Sequence, residues 1–317
     1  MTNQERKSYY HTLSSALVPL TSSEHCLPPN LPSREALSQR GYGDLYTLLD
    51  HVESVYEFDL QKIVPLNHIQ FAFWQQQFCG SECTSGELAA TEFVLFCCLA
   101  DKILDSGRFS PYQKEQVCKK LKSSHFFSAS PVYSEGFPEL DALMNHVRQH
   151  LVGLKLSSHE RAELSSHMQL AFDSEIYMYQ HKLHDPDLVP ESEVPLLINK
   201  SVEFELTAFL ITSAPHITPQ MVQIATCIGR LLWLVDDLWD LPEDIDALRQ
   251  NSLLFLHLPF LPKSIDERFQ YVKDHMIDYR DMIISDLRLL ENTVNSSLLN
   301  CIQWQVLFWS RHICDAR

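Results

Sequence analysis

Two segments of this chain, 84–106 and 219–241, are apolar on nearly every face, with Phe93 to Leu99 inside one and Leu231 to Val235 inside the other. A helix with no polar face has nothing to give to water, so it belongs in a protein interior. Two such helices need a shell of further helices, and the rest of the sequence supplies one. Apolar residues recur with helical period over 34–58, 67–79, 111–122, 138–154, 158–182, 191–213, 264–292 and 296–313. Helix starts are written beside them: Thr84–Glu87, Ser110–Gln113, Ser157–Glu160 and Ser264–Glu267 all have capping-box spacing. Pro111 and Pro219 stand at first helical positions behind Ser110 and Thr218. Alternating strand patterns are short and Asn-Gly or Asp-Gly hairpin turns are absent. The expectation is an all-α, single-domain bundle of about ten helices around a central cavity, spanning 33–317 behind a loose N-terminal extension over 1–32.

Composition removes whole function classes. With 8 glycines in 317 residues and no Gly-rich loop, the chain lacks the strand-to-helix turns of nucleotide-binding α/β folds. A net charge of −16 argues against a nucleic-acid partner. Nine cysteines, an odd number, include Cys97 and Cys98 in an apolar run, which reads as reduced thiols in a cytoplasmic protein. Residues 1–20 lack the apolar core of a signal peptide, and no uncharged stretch is long enough to span a membrane.

Each apolar helix ends in acids. Asp101 and Asp105 close the first; Asp236 and Asp240 close the second, with Asp237 between them and Asp244 one turn further. Residues four apart share a helix face, so each pair presents two carboxylates to one point. Gly107 reads as the stop of the first helix and Pro242 as the stop of the second, which would put both pairs in C-terminal turns. An acid there opposes the helix macrodipole by roughly 0.3–1 kcal/mol, and a like charge at i,i+4 adds a few tenths. Because both helices read as buried, their acidic ends would open into an internal cavity. The pattern asks for a cation, and hard carboxylate oxygens suit Mg²⁺ shared with a substrate phosphate. A solvated helix end is the competing reading for Asp101 and Asp105, with Lys102 and Arg108 nearby to neutralise it. Loss of a diphosphate from an allylic carbon would further require a dry, aromatic-lined chamber, and Phe71, Trp74, Phe96, Phe209 and Trp233 are available for one.

The order and spacing of these motifs resemble the class I isoprenoid synthases, over residues from about 67 to the end. Asp101-Lys-Ile-Leu-Asp105 is similar to the first aspartate-rich motif of that family, as DxxxD rather than DDxxD. Asp236-Asp237-Leu-Trp-Asp240 resembles the second, and Asp236, Asp240 and Asp244 have the spacing of the cyclase metal triad. Pro242 within that stretch is expected to end the helix before Asp244. The resemblance implies three Mg²⁺ ions held by Asp101, Asp105, Asp236, Asp237, Asp240 and Asp244, around the diphosphate of a polyprenyl substrate. It further implies diphosphate contacts from Lys200 and from Arg311 of the Arg311-His312 pair. A homodimer is common in the family. The family's chain-elongating members bind a second diphosphate through a Gly-Lys-x-x-Arg segment and an arginine pair after the first motif. Here only Arg34, Arg40 and Arg108 stand in those regions. The implied activity is therefore that of a class I terpene synthase, a lyase that ionises a farnesyl- to geranylfarnesyl-sized diphosphate and cyclises or rearranges the cation. A trans-prenyltransferase is the alternative, and a non-catalytic helical partner protein of the same fold is the second.

Overall fold

The structure is a computed structural model that describes residues 1–21, 29–80, 86–122, 126–127, 136–154, 156–180, 192, 194–255 and 264–315. The side chains of 18–21, 194, 195, 197–201 and 307–315 fall outside that description. The described residues form helices and no strand. In chain order these are α1 (Asn3–Thr21), α2 (Arg34–Leu37), α3 (Gly43–Tyr56), α4 (Val64–Phe78), α5 (Gly86–Asp105), α6 (Pro111–Lys122) and α7 (Pro138–Gly153). They continue as α8 (Ser158–Gln180), α9 (Val194–Ser213), α10 (Pro219–Asp246), α11 (Ile265–Asp274), α12 (Met276–Glu291) and α13 (Ser296–Asp315). None of them is long and apolar enough to cross a membrane.

The starts follow the local chemistry. The Ser264 hydroxyl accepts from the Glu267 amide while the Glu267 carboxylate reaches back to Ser264, a complete capping box for α11. Ser110 with Gln113 and Ser157 with Glu160 close the same reciprocal pairs at α6 and α8. Thr84, the fourth such residue, lies outside the described residues.

Three expected helix boundaries need correction. The long helix over 34–58 is broken by a π-helical turn, Ser38–Tyr42, in which Gly41 takes φ +98°, a conformation that costs a residue with Cβ but not glycine. The stretch 264–292 is interrupted at His275, whose Nδ1 lies 2.8 Å from the Tyr271 carbonyl, and whose ring stacks on the Tyr271 ring at 3.8 Å. Pro242 does not end α10: the helix runs through it to Asp246.

The chain divides into two compact units, one of residues 1–28, 177–202 and 226–317, the other of residues 29–176 and 203–225. In the second unit α5 packs against α4, α6 and most extensively α7. Its core is aromatic: Phe93, Phe96, Phe126 and Phe172 meet with ring centroids 5.7–6.2 Å apart. The start of α5 comes so close to α9 that a Cβ on Gly86 would lie 2.9 Å from the Thr212 carbonyl oxygen. Burial of α5 is as complete as its composition demands, with Phe93, Leu95, Leu99, Ala100 and Ile103 sealed from solvent.

In the first unit α1 packs on α11, α12 and α13, and these pack in sequence on one another. The segment read as a loose extension thus contains a helix, with Tyr9, Leu13 and Leu17 buried on one face. Its stripe at i, i+4, i+8 is short and weakly apolar, which is why the periodicity did not stand out. Arg268 of α11 is buried and donates to the Leu254 carbonyl at 3.1 Å. Arg230 of α10 donates through Nε to Asp286 of α12 at 2.8 Å, within an ion pair that reads as a strut between these helices.

Candidate metal centre

Asp101 and Asp105 lie in the second unit, at the C-terminal end of α5, as the stop at Gly107 required. Asp101 is half-buried and Asp105, the last residue of the helix, is exposed. A cation is already fixed at this helix end: buried Lys114 of α6 donates to the Leu104 carbonyl. The macrodipole favours positive charge at that place, so the lysine answers the helix's own partial charge beside the acids. Arg108, named as a possible neutraliser of the pair, is engaged elsewhere. It lies 2.5 Å from the Glu57 carboxylate and donates to the Tyr56 carbonyl at 3.1 Å.

Asp236, Asp237, Asp240 and Asp244 lie in the first unit, along the last three turns of α10. Since the helix continues to Asp246, Asp236 and Asp240 do not occupy the final turn, and the macrodipole penalty assigned to them falls on Asp244 instead. Asp236 and Asp240, one turn apart, are both half-buried.

The other two acids have a different environment. Asp237 Oδ2 accepts from Trp233 Nε1 at 2.9 Å and from the Ser252 amide at 3.1 Å, and the Ser252 hydroxyl also donates to it. Asn251 Nδ2 donates to the Asp237 carbonyl at 2.9 Å and to Asp244 Oδ2 at 3.0 Å. Arg249 Nε stands 3.0 Å from Asp244 Oδ1, near enough for charge pairing. Asn251 and Ser252 are buried and open a short 3₁₀ turn, Ser252–Leu254. The segment after α10 therefore folds back along its acidic end, fastened by the two acids outside the Asp236–Asp240 pair. Burial pushes the Asp244 carboxyl up to about 7; Asn251 and Arg249 pull it back, and the nearby Asp237 and Asp240 charges push it further up. The negative charge on this face is crowded enough to be felt from one acid to the next.

Among the described residues, no group of three or more His, Cys, Asp or Glu side chains is gathered closely enough to hold a metal ion. Donor chemistry at Asp236 and Asp240 fits a hard divalent cation, as do the carboxylates of Asp101 and Asp105. At Asp237 and Asp244 the carboxylate oxygens also meet the protein's own donors. Lys200 lies in α9 and Arg311 in α13, but both side chains fall outside the described ones.

The arginines available for a second anion are also placed. Arg34 forms a two-pronged pair with Asp50, at 2.9 and 2.6 Å, and donates to Gln61. Arg40 NH1 lies 3.2 Å from His68 Nε2, while His68 Nδ1 stands 3.0 Å from the Tyr42 hydroxyl and 3.2 Å from a Glu87 oxygen. Burial pulls the His68 imidazole down to about 4 and pushes the Glu87 carboxyl up to about 7, so at neutral pH His68 is uncharged and its 3.2 Å contact with Glu87 is not an ion pair.

Sequence reasoning did not find Asn251, Ser252, Arg249, Tyr9 or Tyr10. The first three reach α10 only by tertiary folding, which leaves no spacing signal. A signal for the last two existed in Pro242, which implied a carbonyl in need of a donor.

No protein-family profile and no curated protein matches the chain. Among solved structures it is similar to a cucumene synthase variant, with 13% identity, a TM-score of 0.54, and coverage of 92% of this chain and 99% of that one. The chain has the class I terpene synthase fold.

Proposed function

We propose that the protein is a Mg²⁺-dependent class I terpene synthase that ionises a farnesyl- to geranylfarnesyl-sized diphosphate and cyclises or rearranges the resulting allylic cation. The observation that carries this reading is the acidic end of α10. The acid pair Asp236 and Asp240 stands on a helix where the Asp237 and Asp240 charges push the Asp244 carboxyl up, and a fold shared with cucumene synthase supports the reading. Such crowding is relieved by a cation or by protonation, and a hard dication relieves it at any pH above the acid range.

In this reading Asp101, Asp105, Asp236 and Asp240 supply oxygen ligands, while Asp237 and Asp244 hold the segment Asn251–Ser252 against α10. Bound Mg²⁺ would neutralise charge as it builds on the leaving diphosphate, a Lewis-acid role. Lys200 and Arg311 would add positive charge on the same diphosphate. Apolar side chains would keep water from the cation, which it would otherwise capture. Asp236 and Asp240 are half-buried, not sealed from solvent.

Chain elongation fits less well. A second multiply charged diphosphate needs free guanidinium groups, because its charge must be matched by paired donors. Arg34 and Arg108 already bind carboxylates of their own unit, and Arg40 faces a neutral imidazole. Thiols at Cys79, Cys97, Cys98, Cys118, Cys227 and Cys301 agree with a reducing compartment such as the cytoplasm. We include a homodimer in the proposal only as the family's common form.

The test is incubation with geranyl, farnesyl, geranylgeranyl and geranylfarnesyl diphosphates in millimolar Mg²⁺, with and without isopentenyl diphosphate. A cyclic or rearranged hydrocarbon or alcohol, with released diphosphate, is the expected result. A longer linear diphosphate made only with isopentenyl diphosphate would establish the transferase instead. Inert substrates under all conditions would leave the scaffold reading.

A further inference from the structure

Pro242 creates a vacancy in the hydrogen-bond ladder of α10. Having no amide proton, it cannot serve the carbonyl four residues earlier, that of Leu238. That carbonyl lies between Asp236 and Asp240 and is not left unmet: the Tyr9 hydroxyl of α1 donates to it at 2.6 Å. Tyr9 is completely buried, and burial pushes its phenol well above the ordinary tyrosine range, so it remains a donor at any pH the protein meets. Its neighbour repeats the contact one residue on. Tyr10 donates to the Trp239 carbonyl at 3.2 Å and stacks on the Trp239 ring, with centroids 5.8 Å apart and planes within 15°. Arg6, one turn before, pairs with Asp246, the last residue of α10. One face of α1 thus meets the whole acidic end of α10, all within the first unit.

We propose that Tyr9 is a positioning residue for the Asp236–Asp240 pair, its hydroxyl replacing the amide that Pro242 lacks and fixing the helical turn from which both carboxylates project. This rests on the reading of Asp236 and Asp240 as ligands of a metal–diphosphate complex. Proline inside a helix ordinarily kinks it, because the ring presses on the carbonyl at i−4 and the ladder is cut there. At a ligand pair such a kink is harmful, since two carboxylates one turn apart act together only while that turn keeps its pitch. A donor from outside the helix secures the displaced carbonyl at a definite angle, and α1 is held in turn by α11, α12 and α13. The N-terminal helix therefore acts through backbone, without touching substrate.

The experiment uses Tyr9→Phe, Pro242→Ala and the double variant in the full chain. Phenylalanine keeps the buried ring and removes only the hydroxyl; alanine at 242 restores an amide able to serve Leu238. Two readouts are taken: amide hydrogen exchange across 236–246, and calorimetric binding of inorganic diphosphate with Mg²⁺. Tyr9→Phe is expected to speed exchange and weaken Mg²⁺–diphosphate binding, each roughly tenfold, the weight of one unmade hydrogen bond to a buried acceptor. The double variant is expected to recover both. Unchanged exchange in Tyr9→Phe would overturn the proposal, as would faster exchange with binding intact, which would make Tyr9 merely structural. Failure of Pro242→Ala to rescue would also overturn it. Wild-type protein that binds no Mg²⁺–diphosphate would instead refute the ligand reading, and with it the positioning role, whatever the exchange data show.

Discussion

The two acid-bearing helices meet the same electrostatic difficulty by different means. On α5 the acids stand at the helix end, where the macrodipole is least favourable, and a full charge on Lys114 is anchored at the adjacent carbonyl. On α10 the helix runs past the Asp236–Asp240 pair, and neutral donors do most of the work: Trp233, Asn251 and Ser252 on the carboxylates of Asp237 and Asp244, Tyr9 and Tyr10 on the backbone. The difference follows from the burial of the acids themselves. Asp105 is exposed and Asp101 half-buried, so water screens their charges. Asp244 is buried, so hydrogen bonds there matter more than net charge. One helix is balanced by charge and the other is held by geometry.

The comparison breaks most visibly if only one pair is needed for chemistry. Asp101→Asn and Asp236→Asn are each expected to lower product formation on the order of 10²–10³-fold, the usual loss when one group that stabilises leaving-group charge is removed. Steady-state assays at saturating Mg²⁺ measure this. Loss on α10 with none on α5 would make the acids of α5 a solvated helix end.

Next in size is the division of labour inside α10. Asp237→Ala removes the acceptor of the Ser252 amide and hydroxyl and one of the two acceptors of Trp233 Nε1, whose other is the Ser252 hydroxyl, so it is expected to destabilise the fold by about 1–3 kcal/mol. Asp236→Asn, which keeps the side chain's shape and removes one of two like charges a turn apart, is expected to leave thermal stability unchanged or slightly raised, because it removes repulsion. Denaturation in urea separates the two. Equal destabilisation would show that Asp236 is also built into the fold.

This difference also marks what could be read from the chain. The helix starts capped at Ser110, Ser157 and Ser264 were legible, and α6 begins and ends at the expected residues, 111 and 122. Those signals lie within four residues of where they act. The acids were legible as ligand candidates, because spacing along a helix places them on a face before any tertiary structure exists. Their sorting was not. Nothing near Asp237 in sequence says that Ser252 will fold back on it, and Pro242 alone read as a stop because the hydroxyl that accommodates it arrives from α1, 233 residues away (242 − 9). What was hidden was partnership across the chain.

A third test compares an acid with partners to one held by burial alone. Glu205 of α9 has no charged or hydrogen-bonding partner among the described residues, and burial pushes its carboxyl up to about 7. A carboxyl raised in the folded state is protonated there while the unfolded chain has already lost its proton. Its contribution to stability is therefore greatest below the unfolded value of 4.5 and declines as pH rises from there through 7. Glu205→Gln should match the wild type at pH 5 and melt higher at pH 8, by a few degrees for roughly 1 kcal/mol. Calorimetry at the two pH values checks it, and an equal gain at both would mean the charge is not the cause.

The smallest effect bears most directly on the contrast between charge and geometry. Lys114→Met removes the fixed cation from the end of α5 while keeping most of the buried stem. Without metal, the Leu104 carbonyl loses its donor and the helix end its countercharge, which should cost about 1 kcal/mol of stability. With metal the sign reverses. A helix end that has lost its own cation should bind an added one more tightly, so Mg²⁺ ought to raise the melting temperature more in Lys114→Met than in the wild type. Tyr9→Phe on α10 has no such compensation, because a neutral donor leaves no charge deficit for a metal to fill. If both substitutions change the metal-induced shift in the same direction, charge balance is not what separates these two helices.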